Sequence, residues 1–187
     1  MPDSEMTLSG FVPKLSATTR PVSEDRGIVE AVKAGDEAAF GQLYRKFAPL
    51  VHGVLLSRMP PEDVPDLVQE VFLAAFKGIG SLREPDAVGG WLIRMARNHA
   101  AGFYRSRRVA EELPDDVAGQ HTPHAEATEA MLAIRSLPAA YSETLMLRLV
   151  EGMTGDEIAQ LTGLSPGSVR VNLHRGMDML RKKLEIR

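Results

Sequence analysis

Between Pro166 and Leu184 the apolar and polar residues separate at helical spacing. At about 100° per residue, Val169, Leu173, Met177, Leu180 and Leu184 fall within an arc of about 80°, which makes them the expected buried face. Opposite them lie Gly167, Ser168, Val171, His174, Arg175 and Asp178, with Arg170 and Asn172 on the flanks. These side chains suit base edges: arginine forks onto guanine, asparagine onto adenine, and an exposed valine meets a thymine methyl. A plain solvated face is the competing interpretation of one polar stripe. A second basic face lies upstream, where Arg94, Arg97, Arg105 and Arg108, with Ala101 among them, share another arc of about 80°. Trp91, Leu92, Met95, His99 and Phe103 occupy the other side, and His99 there reads as a packed core histidine. No acid on this helix pairs with the arginines, so the stripe is expected to face solvent, an acidic partner or nucleic-acid phosphates. Tyr104 borders it and can stack on an unpaired base.

Covalent chemistry has far less support. The chain contains no cysteine, which excludes disulfides, thiolate nucleophiles and Cys-based zinc or iron–sulfur sites. No Ser/His/Asp arrangement, P-loop, HExxH or paired-carboxylate motif occurs, and His121-Thr122-Pro123-His124 only places two imidazoles in an expected linker. The reading is therefore of a binding protein, not an enzyme, with no metal and no cofactor.

The elements that must present these faces follow from breakers and caps. Gly35-Asp36, Pro60-Pro61 and the loop from Gly78 to Pro85 divide the first half into helices at about 25–34, 37–58, 63–77 and 88–108. Further helices are expected at about 126–135, 139–151, 155–162 and 166–184, and no strand pattern occurs. Thr154-Gly155-Asp156-Glu157 fits a capping box. Gly163 supplies the positive φ that ends that helix, and Ser165-Pro166 starts the next within about four residues, the signature of a helix-turn-helix. The 63–77 helix is apolar over more than one face: Leu67, Val68, Val71 and Ala75 share a side, whereas Gln69, Leu73 and Phe76 point elsewhere beside Asp66. Such a helix is either central in its bundle or docked on another protein, and periodicity does not separate the two.

The net charge of −3 conceals a strong pattern. Residues 94–108 hold five arginines and no acid, 110–126 hold five acids and no lysine or arginine, and 165–187 hold six basic residues against two acids. Residues 109–125 read as a flexible acidic linker of 17 residues, able to reach about 55–60 Å when extended. Residues 1–23, rich in Ser, Thr and Pro, read as a mobile tail without a signal-peptide pattern. No apolar run approaches the ~20 residues that span a bilayer, so a cytoplasmic protein without membrane insertion is expected. The fold class is all-α: two small helical domains, 24–108 and 126–187, joined by the acidic linker.

In this order, the motifs resemble those of the extracytoplasmic-function (ECF) sigma factors of bacterial RNA polymerase. Asp66-Leu67-Val68-Gln69-Glu70-Val71-Phe72 resembles that family's polymerase-binding helix, and Trp91-Leu92-Ile93-Arg94-Met95-Ala96-Arg97-Asn98 its minus-ten recognition helix. Gly155-Asp156-Glu157-Ile158-Ala159, Gly167-Ser168-Val169-Arg170 and Leu173-His174-Arg175 are similar to its minus-thirty-five helix-turn-helix. The resemblance, over about residues 24–187, implies that 24–108 form sigma domain two. There Asp66, Leu67, Gln69, Glu70 and Leu73 would grip the clamp helices of the largest polymerase subunit. The loop Gly78–Asp86 and the Trp91 helix would open promoter DNA, with Trp91, Arg94, Arg97, Asn98, Tyr104, Arg105 and Arg108 at the minus-ten element. Residues 126–187 would form sigma domain four, reading the minus-thirty-five element through Ser168, Arg170, Val171, Asn172, His174 and Arg175. The acidic linker would follow the polymerase's basic cleft, and an anti-sigma factor would mask the polymerase-binding surfaces.

Three departures qualify the resemblance. Gly89-Gly90 stands where helix formers are usual, so the helix there is expected to start late or bend. Pro65 is a first-turn proline, which a helix tolerates. Val171 and Asn172 replace the usual small polar and basic residues, so the recognised upstream sequence is not inherited. The rival functions are a stand-alone helix-turn-helix regulator, against which the Asp66–Phe72 motif argues, and a helical adaptor working through protein contacts.

Overall fold

The computed structural model describes the backbone of residues 23–110 and 123–185, and the side chains of 23–106 and 129–184. Eight α-helices and no strand occur among the described residues: α1 Glu24–Lys33, α2 Glu37–Leu56, α3 Val64–Gly78, α4 Val88–Ala110, α5 Pro123–Arg135, α6 Ala139–Leu149, α7 Gly155–Thr162 and α8 Pro166–Glu185. The N-terminal tail and most of the linker lie outside the described residues. Of the expected linker, 109–110 continue α4 and 123–125 open α5.

Local chemistry sets the helix ends. The Ser23 hydroxyl accepts from the Arg26 amide at 3.2 Å, and Asp36 accepts from the amides of Ala38 at 2.8 Å and Ala39 at 3.1 Å, each satisfying donors that a first helical turn leaves free. Between them the chain reverses at Gly35, whose φ of 90° a side chain would disfavour. α3 begins one residue before Pro65, which sits in the first turn as expected. α4 runs from Val88 through both Gly89 and Gly90, so the expected late start does not occur.

α2 is the centre of the first group, packed by α1, α3 and α4. Leu43, Phe47, Leu50, Val51 and Val54 of α2 meet Val71, Phe72 and Ala75 of α3 and Leu92, Ala96 and Ala100 of α4 in a buried cluster. In the second group α6 lies against α8, with Leu145, Met146 and Leu147 meeting Ile158, Val169 and Leu180. Gly176 makes that crossing close: a Cβ there would stand 3.1 Å from Leu145 Cδ1 and 3.3 Å from Tyr141 Cβ. On α8 the expected inner face is corrected at its end, where Leu184 is 42% exposed and lines an open crevice with the exposed Leu132 of α5.

The two groups are not merely tethered. α2 packs on α6, α4 packs on α7, and the buried residues of both groups form one cluster. The sequence showed no reason for this contact, because the close approach depends on Gly53 and Gly89, where a Cβ would stand 2.7 Å from Leu147 Cδ2 and 1.9 Å from the Leu161 carbonyl oxygen.

Candidate nucleic-acid interface

α3 resolves the ambiguity of its two apolar faces. Leu67, Val68, Val71, Phe72 and Ala75 point into the core, and Asp66, Gln69, Glu70, Leu73 and Phe76 point outward. Leu73 is 61% and Phe76 50% exposed, an uncovered apolar strip bordered by a glutamine and two carboxylates. Leu67 is corrected out of this surface: at 5% exposure it props α3 against its own bundle and cannot touch a partner. An aromatic group, unread in the sequence, supports the strip. Phe40 of α2 meets Phe76 edge-on at 4.9 Å between centroids, and the half-exposed Tyr44 meets Phe72 at 4.7 Å. The clue lay in Phe40 and Tyr44, four apart on α2.

The loop between α3 and α4 is tied down by α1. Lys33 donates to the Leu82 carbonyl at 2.9 Å, Arg26 pairs with Asp86 at 2.6 Å, and the Ser23 hydroxyl also bonds Asp86. Trp91 is half-buried, its ring near Gly78.

On α4, Arg94, Asn98 and Arg105 are exposed, and neither Arg94 nor Arg105 has a carboxylate partner among the described residues. Arg108 lies outside the described side chains. Tyr104 is exposed at its ring, but its hydroxyl donates to the Arg58 carbonyl at 2.9 Å, which fixes the ring beside the stripe. His99 departs from the expected core position: it is half-buried, with Nδ1 3.6 Å from Glu70 Oε2, at the join between α3 and α4.

Arg97 differs from its neighbours. Its guanidinium donates to both carboxylate oxygens of Glu143 on α6, at 3.0 and 2.5 Å, and Arg58 donates to the same carboxylate at 2.6 Å. The bonds to Glu143 raise the Arg97 pKa above its ordinary value, even though burial opposes the charge. Glu143 is only 7% exposed and was not foreseen as a functional residue. Its sole signal was an acid among the apolar residues of 139–149.

The helix-turn-helix is built as its motifs predict. The Thr154 hydroxyl accepts from the Glu157 amide at 3.2 Å, and Glu157 accepts from the Thr154 amide at 2.7 Å. Gly163 ends α7 at φ 75°, and the Ser165 hydroxyl accepts from the Ser168 amide at 3.1 Å to start α8. The Thr154 amide and hydroxyl hold the Glu157 carboxyl below its usual pKa. A depressed carboxyl stabilises the fold above its unfolded pKa, so this contribution is present at neutral pH and fades as pH falls through the folded value. Thr154→Ala is expected to lower unfolding stability by about 1 kcal/mol in denaturant melts, with no change in helix count by circular dichroism.

Val169 and Leu180 anchor α8, which leaves Ser168, Arg170, Val171, His174 and Arg175 exposed in one surface. His174 Nε2 lies 3.5 Å from Asp178 Oδ2. Asn172 is the exception: half-buried, it points its amide at Thr144 Oγ1, 3.4 Å away on α6. His121 and His124 lie outside the described side chains.

The known proteins similar to this chain are sigma factors. The family model for Sigma-70 region 2 matches residues 43–109, and that for Sigma-70 region 4 matches residues 127–180. The ECF RNA polymerase sigma-E factor of Haemophilus influenzae is 31% identical over 180 residues, covering 86% of this chain and 95% of that protein. The sigma-E factor of Escherichia coli K12 is 28% identical over the same length, covering 86% and 94%. Among solved structures, CnrH in complex with the cytosolic domain of CnrY superimposes with a TM-score of 0.59 at 26% identity, covering 87% of this chain and 97% of that one. The sigma factor RpoE of Bartonella quintana, solved with the anti-sigma factor NepR, shares the fold with a TM-score of 0.51 at 20% identity, covering 79% and 97%.

Proposed function

The chain belongs to the ECF sigma factors of bacterial RNA polymerase, and on that premise we propose which of its surfaces does each part of the work. A sigma factor binds core polymerase and directs promoter recognition and transcription initiation. Residues 24–108 act as sigma domain two, residues 126–187 as sigma domain four, and 109–125 as the acidic linker between them. The outer face of α3, with Asp66, Gln69, Glu70 and Leu73, docks on the largest-subunit clamp helices. Trp91, Arg94, Arg97, Asn98, Tyr104, Arg105 and Arg108 serve the minus-ten element. There, stacking and phosphate contacts offset the few kcal/mol that unstacking a base costs. Ser168, Arg170, Val171, Asn172, His174 and Arg175 read the minus-thirty-five element in the major groove.

The observation that carries this reading is the exposed Leu73–Phe76 strip on α3. A regulator acting alone on DNA has no use for an uncovered apolar strip away from its reading helix, whereas a factor that rides on a larger protein needs one. The bound state of CnrH supports control by a protein partner, an anti-sigma factor in this reading. No helix among the described residues is long and apolar enough to cross a membrane, which is consistent with work beside polymerase in the cytoplasm. The factor binds and positions, with no covalent step, metal or cofactor of its own.

Run-off transcription with core polymerase on genomic fragments tests the whole. Discrete start sites that require this chain are expected. If no template gives a start site, or the chain alone shifts duplex DNA tightly and ignores core polymerase, a stand-alone regulator replaces this reading.

A further inference from the structure

No residue of α1 carries a role in the reading above, yet this helix grips the loop between α3 and α4 at two points. The loop runs as two single 3-10 turns, Ile79–Ser81 and Pro85–Ala87. Ile79, Leu82 and Pro85 are buried and anchor it to the bundle, whereas Arg83 and Glu84 are exposed and form its tip. Apolar burial is non-directional, so these anchors set where the loop sits and not how its tip is turned.

Directional contacts come from α1. Arg26 donates to Asp86 Oδ2 from Nε at 3.2 Å and from Nη2 at 2.6 Å, and the Ser23 hydroxyl, which also caps α1, bonds Asp86 Oδ1. Lys33 donates to the Leu82 carbonyl at 2.9 Å. Arg26 and Lys33 are seven residues apart, about two turns, so both reach the loop from one side of α1. The two staples therefore stand on either side of Arg83 and Glu84. At the loop's start a Cβ on Gly78 would stand 3.6 Å from Trp91 Cζ2, so the loop and the Trp91 helix share one edge of the bundle. Exposed ion pairs add little to global stability, and Arg26 and Asp86 are 39% and 49% exposed. What such staples supply is shape: a loop already ordered loses no further entropy when a ligand meets it.

We propose that α1 is a positioning element for promoter opening: Arg26 and Lys33, through Asp86 and the Leu82 carbonyl, hold the Arg83–Glu84 tip in the shape that receives an unstacked base of the minus-ten element. The proposal rests on the assignment of this loop and the Trp91 helix to that element and adds what keeps the loop in place. Arg26 and Lys33 are positioning residues, acting through the loop and not on DNA.

The test uses holoenzyme assembled with the full chain, and the single non-template strand of the minus-ten element from a promoter found by run-off transcription. The strand is made abasic at one position at a time, and affinity is read by fluorescence anisotropy. For wild type one position is expected to stand out, where loss of the base weakens binding by about tenfold or more. Arg26→Ala and Asp86→Ala break one pair from opposite sides, and Lys33→Ala frees the other side of the tip. Each is expected to weaken binding of the intact strand by about fivefold, the scale of ordering a few side chains, and to bind the strand lacking that base as well as wild type does. Melting temperatures of the free variants should move little. A pure charge effect would instead split the pair: losing Arg26 would weaken binding and losing the Asp86 carboxylate would strengthen it, on every strand alike. Wild-type affinity for the intact strand in any of the three variants overturns the proposal, and so does an equal loss on the abasic strand or opposite effects of Arg26→Ala and Asp86→Ala. A wild-type scan with no outstanding position removes base capture itself, and only that result also removes the underlying assignment of the loop.

Discussion

Leu73→Glu is expected to abolish capture of core polymerase and leave the fold untouched. At 61% exposure, Leu73 is the most exposed large apolar side chain among the described residues, and Phe76 beside it is half uncovered. Docking such a strip removes it from water, worth about 1.5–3 kcal/mol for a leucine, and a carboxylate in its place would be buried without a partner. The combined loss is about 3 kcal/mol or more, a drop in affinity of about a hundredfold or greater. Stability should move by no more than about 0.5 kcal/mol, because the position is on the surface and glutamate favours helix. Fluorescence anisotropy with labelled core polymerase, beside a thermal melt of the free chain, separates the two quantities. Wild-type affinity would remove α3 from the docking surface. Leu67→Glu would not serve the same purpose: Leu67 is core, and its loss would be a loss of fold.

The paired substitution Arg170→Ala and Arg175→Ala should have the next largest effect. Each exposed arginine lost from a base edge costs about 1–3 kcal/mol, so the pair should weaken use of the upstream element by about 2–6 kcal/mol, at least about thirtyfold. The loss should be confined to templates that carry that element, as read by holoenzyme run-off on matched templates with it present and scrambled. An equal loss on both templates would mean that the arginines meet phosphate and not bases. Arg94→Ala gives the contrast. Its exposed guanidinium is read as a phosphate contact, so holoenzyme binding should weaken on all templates alike. The slope of log affinity against log salt should become shallower by about one.

The helices were legible because their signals are local. Thr154 and Glu157 are three apart and cap each other within one turn, Gly163 and Ser165-Pro166 punctuate the next few residues, and Val169, Leu173, Met177 and Leu180 share a face by spacing alone. No distant partner is needed for any of these. The same logic failed at the margins. Leu184 keeps the apolar period of α8 but faces α5 across an open crevice beside the exposed Leu132, and His99 sits on the apolar side of α4 yet reaches the surface beside Glu70. Periodicity shows direction around a helix axis and not how closely the neighbouring helix packs.

The amino-acid order by itself determined the all-α class, the caps, the two basic helices and the polar face of α8, since each depends on residues within a turn or two of one another. Only the tertiary structure decided which face of α3 is bare, that Leu67 is core, and that Arg97, alone among the described arginines of its stripe, is paired with a carboxylate. Above all, it decided that Gly89, which weakens a helix when read locally, admits the Leu161 carbonyl from a helix some seventy residues on. A missing side chain carries no periodic signal, and a carboxylate such as Glu143 meets its two arginines only after the chain has brought separate helices together.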